Sequence, residues 1–241
     1  MGDHWKYIRQ SRTAQIGSPW VVVELKSINK INMKKEEKYL KVLNSVIDEE
    51  QSREWMQKPF NAGDKTMATN GWIMVATPKV GEYTDRSSKV GFVYPYVKTM
   101  DLPITIESLR NIISQVPMID GVIDCDCCNG TGEVDYEFYY KCKMYSQEVN
   151  CPICDGDGFI PSDTAEKVVD PEKQIEINNY AFNVNRIIEL IEIADTLEVD
   201  TVFLVRQNAD YGANIFKAGE VDVIIMPAMK GLEQNIYRLP F

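Results

Sequence analysis

The chain has 241 residues, 44% hydrophobic and 26% charged, which is enough for one large or two small domains with real cores. A formal net charge of −10 excludes a surface coated in phosphate-binding cations, although a local basic stripe remains compatible with it. No stretch approaches the ~18 consecutive apolar residues of a membrane-spanning helix, so no membrane association is expected.

The opening residues, MGDHWKYIRQ, lack the apolar run of a signal peptide, and Lys6 stands where a myristoylation signal needs Ser or Thr. The reading is therefore a cytoplasmic protein with reduced thiols, in which clustered cysteines mean metal. His4 is the only histidine. That removes Ser-His-Asp and Cys-His catalysis and histidine-ligated metal enzymes together. Neither a complete phosphate loop nor a dinucleotide-binding glycine motif is present, and Gly63-Asp64-Lys65-Thr66 resembles only the tail of the former. The chain is expected not to be an enzyme.

Residues 20–25 (WVVVEL) read as a strand. Residues 35–48 (KEEKYLKVLNSVID) place Tyr39, Leu40, Leu43, Val46 and Ile47 on one helical face. KTMATNGWIMVATP, residues 65–78, centres Asn70-Gly71 between β-rich runs and predicts a hairpin. Residues 91–97 (GFVYPYV) read as a strand placed at an edge by Pro95. A second helix is expected over 106–116, with Ile106, Leu109, Ile112, Ile113 and Val116 at helical steps. The cysteine-rich stretch 124–160 follows, then PSDTAEKVVDPEKQ as a polar linker. IEINNYAF reads as a strand leading into a helix over 184–197, and strands are expected at 201–205, 213–217 and 221–226. The last third thus reads β-α-β-β-β, and Trp20 to Val97 can be read the same way. The fold class is α+β: two β-α-β-β-β units with a small zinc-bound β-hairpin insert. The boundaries are 1–123 for the N-terminal half, 124–160 for the insert and 161–241 for the C-terminal half.

CDCCNGTG (125–132) and CPICDGDG (151–158) repeat one pattern, Cys-x-x-Cys-x-Gly-x-Gly. Each Cys-x-x-Cys turn presents two thiolates at the separation a tetrahedral ion needs, and the glycines let backbone amides turn toward the sulfurs. Cys125, Cys128, Cys151 and Cys154 are the expected ligands of one structural Zn2+. A dithiol redox pair is the alternative, since Cys-Pro-Ile-Cys fits it locally, but no βαβ context surrounds it. Cys127 and Cys142 are left over; Cys127 is close enough in sequence to exchange with a ligand. Between the knuckles, Val134, Tyr136, Phe138, Tyr140, Cys142 and Met144 fall at every second position, as on one face of a strand.

This repeat resembles the zinc-binding cysteine-rich region of the DnaJ chaperones. That family carries four such repeats and two zinc sites, so two repeats imply one site here. The resemblance covers 124–160 only, and the His-Pro-Asp of the J-domain is absent, so stimulation of a heat-shock ATPase is not implied. Eight acidic residues against Lys141 and Lys143 give this stretch a net −6, which repels phosphate. Its aromatics therefore point to strand packing or to protein recognition.

A second resemblance lies in the scaffold. The run from Ile175 to Lys230, with Phe182 before its helix and Met226-Pro227-Ala228-Met229 after its strands, is similar to the closing unit of a bacterial sliding-clamp domain (DNA polymerase III β-subunit). Ala68-Thr69-Asn70-Gly71 resembles that family's Ala-Thr-Asp-Gly turn. The chain has length for one such domain where the clamp has three, and the 106–116 helix has no counterpart in the pattern. The clamp resemblance implies oligomers and DNA. Lys26, Lys30, Lys34, Lys35, Lys38 and Lys41 against Glu36 and Glu37 make 26–41 a net +4, the candidate nucleic-acid surface. Residues 182–200 carry a net −4, so only one of the two helices suits DNA, and contact is expected to be weak. The functional expectation is a non-enzymatic zinc-binding scaffold of clamp-like fold associated with DNA replication or repair, working through protein partners. The alternative is a DnaJ-like zinc module that binds unfolded or partner proteins without a J-domain.

Overall fold

The computed structural model describes residues 34–49, 51, 53–90, 100–206 and 212–240. The strands expected at 20–25 and 91–97, together with Lys26 and Lys30, lie outside the described residues. Two compact units, Met1–Tyr94 and Pro95–Phe241, divide the chain, and helices and sheets are mixed.

In the first unit, helix α1 (34–45) buries Tyr39, Val42 and Leu43, and Val46 is buried in the turn that follows. It stops short of the expected residue 48, at the point where Ser45 competes with the helical ladder. The Ser45 hydroxyl donates to the Val42 carbonyl at 3.0 Å. Strands β1 (Phe60–Ala62), β2 (Lys65–Thr69) and β3 (Ile73–Pro78) form an antiparallel meander, with Phe60 opposite Met67 and Thr69 opposite Met74. The turn sits where Asn70-Gly71 predicted it. Asn70 Oδ1 accepts the Trp72 and Ile73 amides at 3.0 and 3.1 Å, and Gly71 takes φ +95°. A short helix, α2 (Ser87–Val90), follows.

The second unit opens with β4 (Leu102–Thr105) and α3 (Ile106–Ile113), capped by Thr105, whose hydroxyl accepts the Ser108 amide. Then come β5 (Met118–Ile119), β6 (Val122–Asp124), β7 (Glu133–Tyr140), β8 (Lys143–Asn150), β9 (Phe159–Pro161) and β10 (Val168–Val169). The remainder is β11 (Gln174–Ile177), β12 (Tyr180–Asn183), α4 (Val184–Leu197), β13 (Thr201–Arg206), β14 (Asn214–Ala218), β15 (Val221–Ile225) and β16 (Ile236–Arg238). Strands β15, β14, β13 and β4 pair antiparallel in that order. Pro103 on β4 costs the ladder little because that strand lies at the end of the order.

Helix α4 covers the range its periodicity predicts, and both of its ends are closed. The Asn183 side chain accepts the Asn185 amide, and Glu198 closes the far end at φ +57°. Its Ile187, Leu190 and Ala194 are fully buried, as are Val202, Leu204, Phe216 and Val223 of the strands. Phe182 meets Phe216 edge-on at 5.5 Å. Helix α3 packs against α4, and Arg110 holds Asp195 at 2.6 Å; both groups are half-exposed, so the pair stabilises by only about 0–1 kcal/mol.

Three expectations need correction. IEINNYAF is not one strand but the β11–β12 hairpin, because Asn178 and Asn179 both take left-handed backbone (φ +47° and +71°) and reverse the chain. The polar stretch PSDTAEKVVDPEKQ is not all linker: β10 within it pairs with β5. The run of alternating residues from Val134 breaks after Tyr140, where Lys141 and Cys142 turn at positive φ. Met144 therefore pairs with Tyr139 rather than sharing the face of Tyr136.

Leu190→Ala should cost about 2–5 kcal/mol of unfolding free energy in urea, because a fully buried side chain leaves a cavity. Arg110→Ala should cost no more than about 1 kcal/mol. Equal costs for the two would contradict this placement of the core.

Candidate metal centre

Strands β6 and β9 pair antiparallel, Asp124 opposite Phe159, and so deliver the two cysteine turns to one place. In the first turn Asn129 takes φ +52°, Gly130 +82° and Gly132 +79°; in the second Asp155 takes +56°, Gly156 +95° and Gly158 +81°. The Gly132 amide donates to Cys128 Sγ at 3.3 Å, and the Gly158 amide to Cys154 Sγ at 3.2 Å. Each turn also ties the other: the Cys125 amide donates to the Gly158 carbonyl and the Cys151 amide to the Gly132 carbonyl, both at 2.8 Å. The repeat in the sequence is thus a local two-fold in space. Only glycine fits at its crossing, since a Cβ on Gly132 would lie 2.3 Å from the Gly156 carbonyl oxygen.

All four predicted ligands meet. The sulfurs of Cys125, Cys128, Cys151 and Cys154 lie within 4.8 Å of one another and are buried, with Val134 and Ile160 packed against them. Cys125 Sγ is 3.8 Å from Cys151 Sγ, and Cys128 Sγ is 3.8 Å from Cys154 Sγ. Tetrahedral bonds of ~2.3 Å from one zinc ion put sulfurs about 3.8 Å apart, so the donor set fits a closed tetrahedral site compatible with zinc. Such a site leaves no open position for a substrate or a water, and the chemistry it supplies is cross-linking. The backbone amide of Cys154 holds the Cys151 thiol down to about 6, whereas burial pushes the Cys125 thiol up to about 11. Zinc binds thiolates, so its uptake has to strip the proton that burial favours on Cys125.

Cys127 and Cys142 are exposed and stand outside the cluster. The cationic candidates are not gathered into a comparable site. Lys34, Lys35 and Lys41 lie exposed on α1 and Lys38 is half-buried, with Lys41 3.1 Å from Glu37. Sequence reasoning overlooked Glu176, a nearly buried carboxylate on β11. Lys230, 2.8 Å away, and Arg238, at 3.5 Å, hold it below the usual carboxylate range. Its only sequence signal is a charge inside an apolar strand. Among the described residues no helix is long and apolar enough to cross a membrane.

No protein family profile matches the chain, and no curated protein matches it. Among solved structures it is similar to bacterial sliding clamps. It is 8% identical to the DNA polymerase sliding clamp of Pseudomonas aeruginosa, covering 82% of this chain and 65% of that one, with a TM-score of 0.43. It is 10% identical to DNA polymerase III subunit beta of Borrelia burgdorferi, with 82% and 63% covered and a TM-score of 0.43. It is 9% identical to the Helicobacter pylori beta clamp bound to a DNA ligase peptide, with 80% and 62% covered and a TM-score of 0.42. The chain spans a little under two thirds of the length of these clamps.

Gly132→Ala should weaken zinc binding at least about tenfold in a chelator competition, because the added methyl meets backbone. Gly63→Ala, also at positive φ but facing open space, should leave zinc affinity unchanged. Between pH 6 and 11 zinc uptake should release protons, and affinity should rise with pH as Cys125 sheds its proton more easily. Calorimetry in two buffers of different ionisation enthalpy measures this; identical heats would contradict it.

Proposed function

We propose that the chain is a non-enzymatic scaffold in which one structural zinc ion ties the ends of the β7–β8 hairpin to the rest of the second unit, and that it works through protein contacts. The observation that carries this reading is the convergence of four buried sulfurs at tetrahedral spacing. A closed site stabilises and does not turn over substrate, and a chain with His4 as its only histidine has few alternatives for acid–base work. The DnaJ-type pattern supports a zinc hairpin. The order β12, α4, β13, β14, β15 and the Ala68-Thr69-Asn70-Gly71 turn support a clamp-like scaffold with an association to DNA replication or repair.

A DNA contact is the second reading, favoured by the exposed Lys34, Lys35 and Lys41 along α1. In it, retention of duplex at low salt weakens steeply as salt rises and is lost when those three lysines become glutamate. Duplex retention unchanged in that variant removes this reading without touching the first.

Chelation of the metal should expose the amides of 122–161 to hydrogen exchange while α4 and β13–β15 stay protected. Loss of protection throughout the second unit would contradict the staple reading. Reduction of insulin disulfides by the zinc-loaded protein would contradict the non-enzymatic one.

A further inference from the structure

Helices α3 and α4 run antiparallel: the Ile106 amide at the start of α3 donates to the Asp200 carbonyl, just past the end of α4, at 2.9 Å. Between them lies a trough of about 460 Å³, within the roughly 300–1,000 Å³ of small-ligand sites. Ile188 and Ile191 of α4, one helical step apart, and Ile113 of α3 supply its apolar lining. The register Val169↔Met118 puts those two side chains on one face of the β5–β10 ribbon, and both line the trough. Both ends are closed. Arg110 reaches across to Asp195 at one, and α3 leads away from that bridge toward Met118 and Val169 at the other. The stripe from Ile188 to Asp195 spans two helical turns, about 11 Å, which is too short for a docked helix. Met118 is 52% exposed, so the trough opens to solvent and is not sealed core.

The charged groups of the lining select the occupant. Arg110 is already neutralised by Asp195. Glu192 also lines the trough, is exposed, and among the described residues has no cation within ion-pair distance. One cation against two carboxylates leaves the lining at a net −1. An anionic head would have to displace Asp195 from Arg110 and would meet Glu192, whereas a cationic head meets Glu192 with nothing to displace. Ser114, the remaining polar side chain, already donates its hydroxyl to the Asn111 carbonyl at 2.8 Å. The apolar remainder offers no partner to a peptide backbone, whose amides would be left unpaired there. We infer that the α3–α4 trough binds a small organic cation, its apolar body against Ile113, Ile188, Ile191 and Met118 and its ammonium group facing Glu192. This site shares no residue with the cysteine cluster and goes beyond the scaffold reading without depending on it.

The test uses the full zinc-loaded chain with isotope-labelled isoleucine methyl groups, followed by NMR during titration with octyltrimethylammonium. Below the concentration at which this probe forms micelles, the Ile113, Ile188 and Ile191 methyls should shift and saturate. Ile119, on the other face of β5, should not move. Octanol should bind more weakly, and octanoate more weakly still. Glu192→Gln, at an exposed position, should weaken the cation about two- to fivefold and leave octanol unchanged. Met118→Trp, at a half-exposed position, should fill the trough and remove the shifts, with thermal melting showing both variants folded. Five outcomes would overturn the inference: no saturable shift below micelle formation, shifts at Ile119 equal to those in the trough, octanoate binding as tightly as the cation, affinity for the cation unchanged in either variant, or tighter binding of a capped Leu-Leu-Lys peptide. Zinc content, measured alongside, reports on the staple separately.

Discussion

Four sulfur atoms within 4.8 Å of one another are the constraint on which residues 122–161 depend. The hairpin they close has no core of its own: its side chains are exposed along almost the whole of β7 and β8. A two-stranded ribbon in water is marginal without a further source of stability. In the proposed staple the metal supplies it, because a metal bound only by the folded arrangement contributes its binding free energy to folding. The glycines follow from the same demand. Close approach of the two turns and amides aimed at sulfur require positive φ at Gly130, Gly132, Gly156 and Gly158, and no Cβ at Gly132 and Gly158.

The parts of the chain that were legible in sequence are those where a local signal and the tertiary structure agree. Helix α4 has apolar periodicity and an Asn at its start, although its left-handed close at Glu198 carries no sequence signal. The β2–β3 turn has Asn-Gly, and the cysteine repeat states its geometry in its spacing. The misses share a cause. Asn178-Asn179 reverses the chain without a glycine to announce it, and β10 and β16 are too short to show a period. Their existence depends on partners distant in sequence, β5 and β11. In α1 the apolar face was readable, but its end was decided by Ser45 bonding back to Val42.

The candidate site divides in the same way. Which cysteines converge was readable, because repeated spacing is a local property. That Cys151 would be the acidic thiol and Cys125 the reluctant one was not, because the Cys154 amide and burial decide it in three dimensions. The exposure of the aromatic face was also unreadable: alternation along β7 describes a strand with one apolar face and does not say whether anything covers it. The acidic balance of 124–160 is a property of the sequence alone, and it counts against nucleic acid at this stretch.

Zinc-edge X-ray absorption on the purified chain tests the central claim most directly. The account predicts one zinc per chain surrounded by four sulfur scatterers at about 2.3 Å, with no oxygen or nitrogen in the coordination shell. A shell containing light atoms, fewer than four sulfurs, or no bound metal would contradict it.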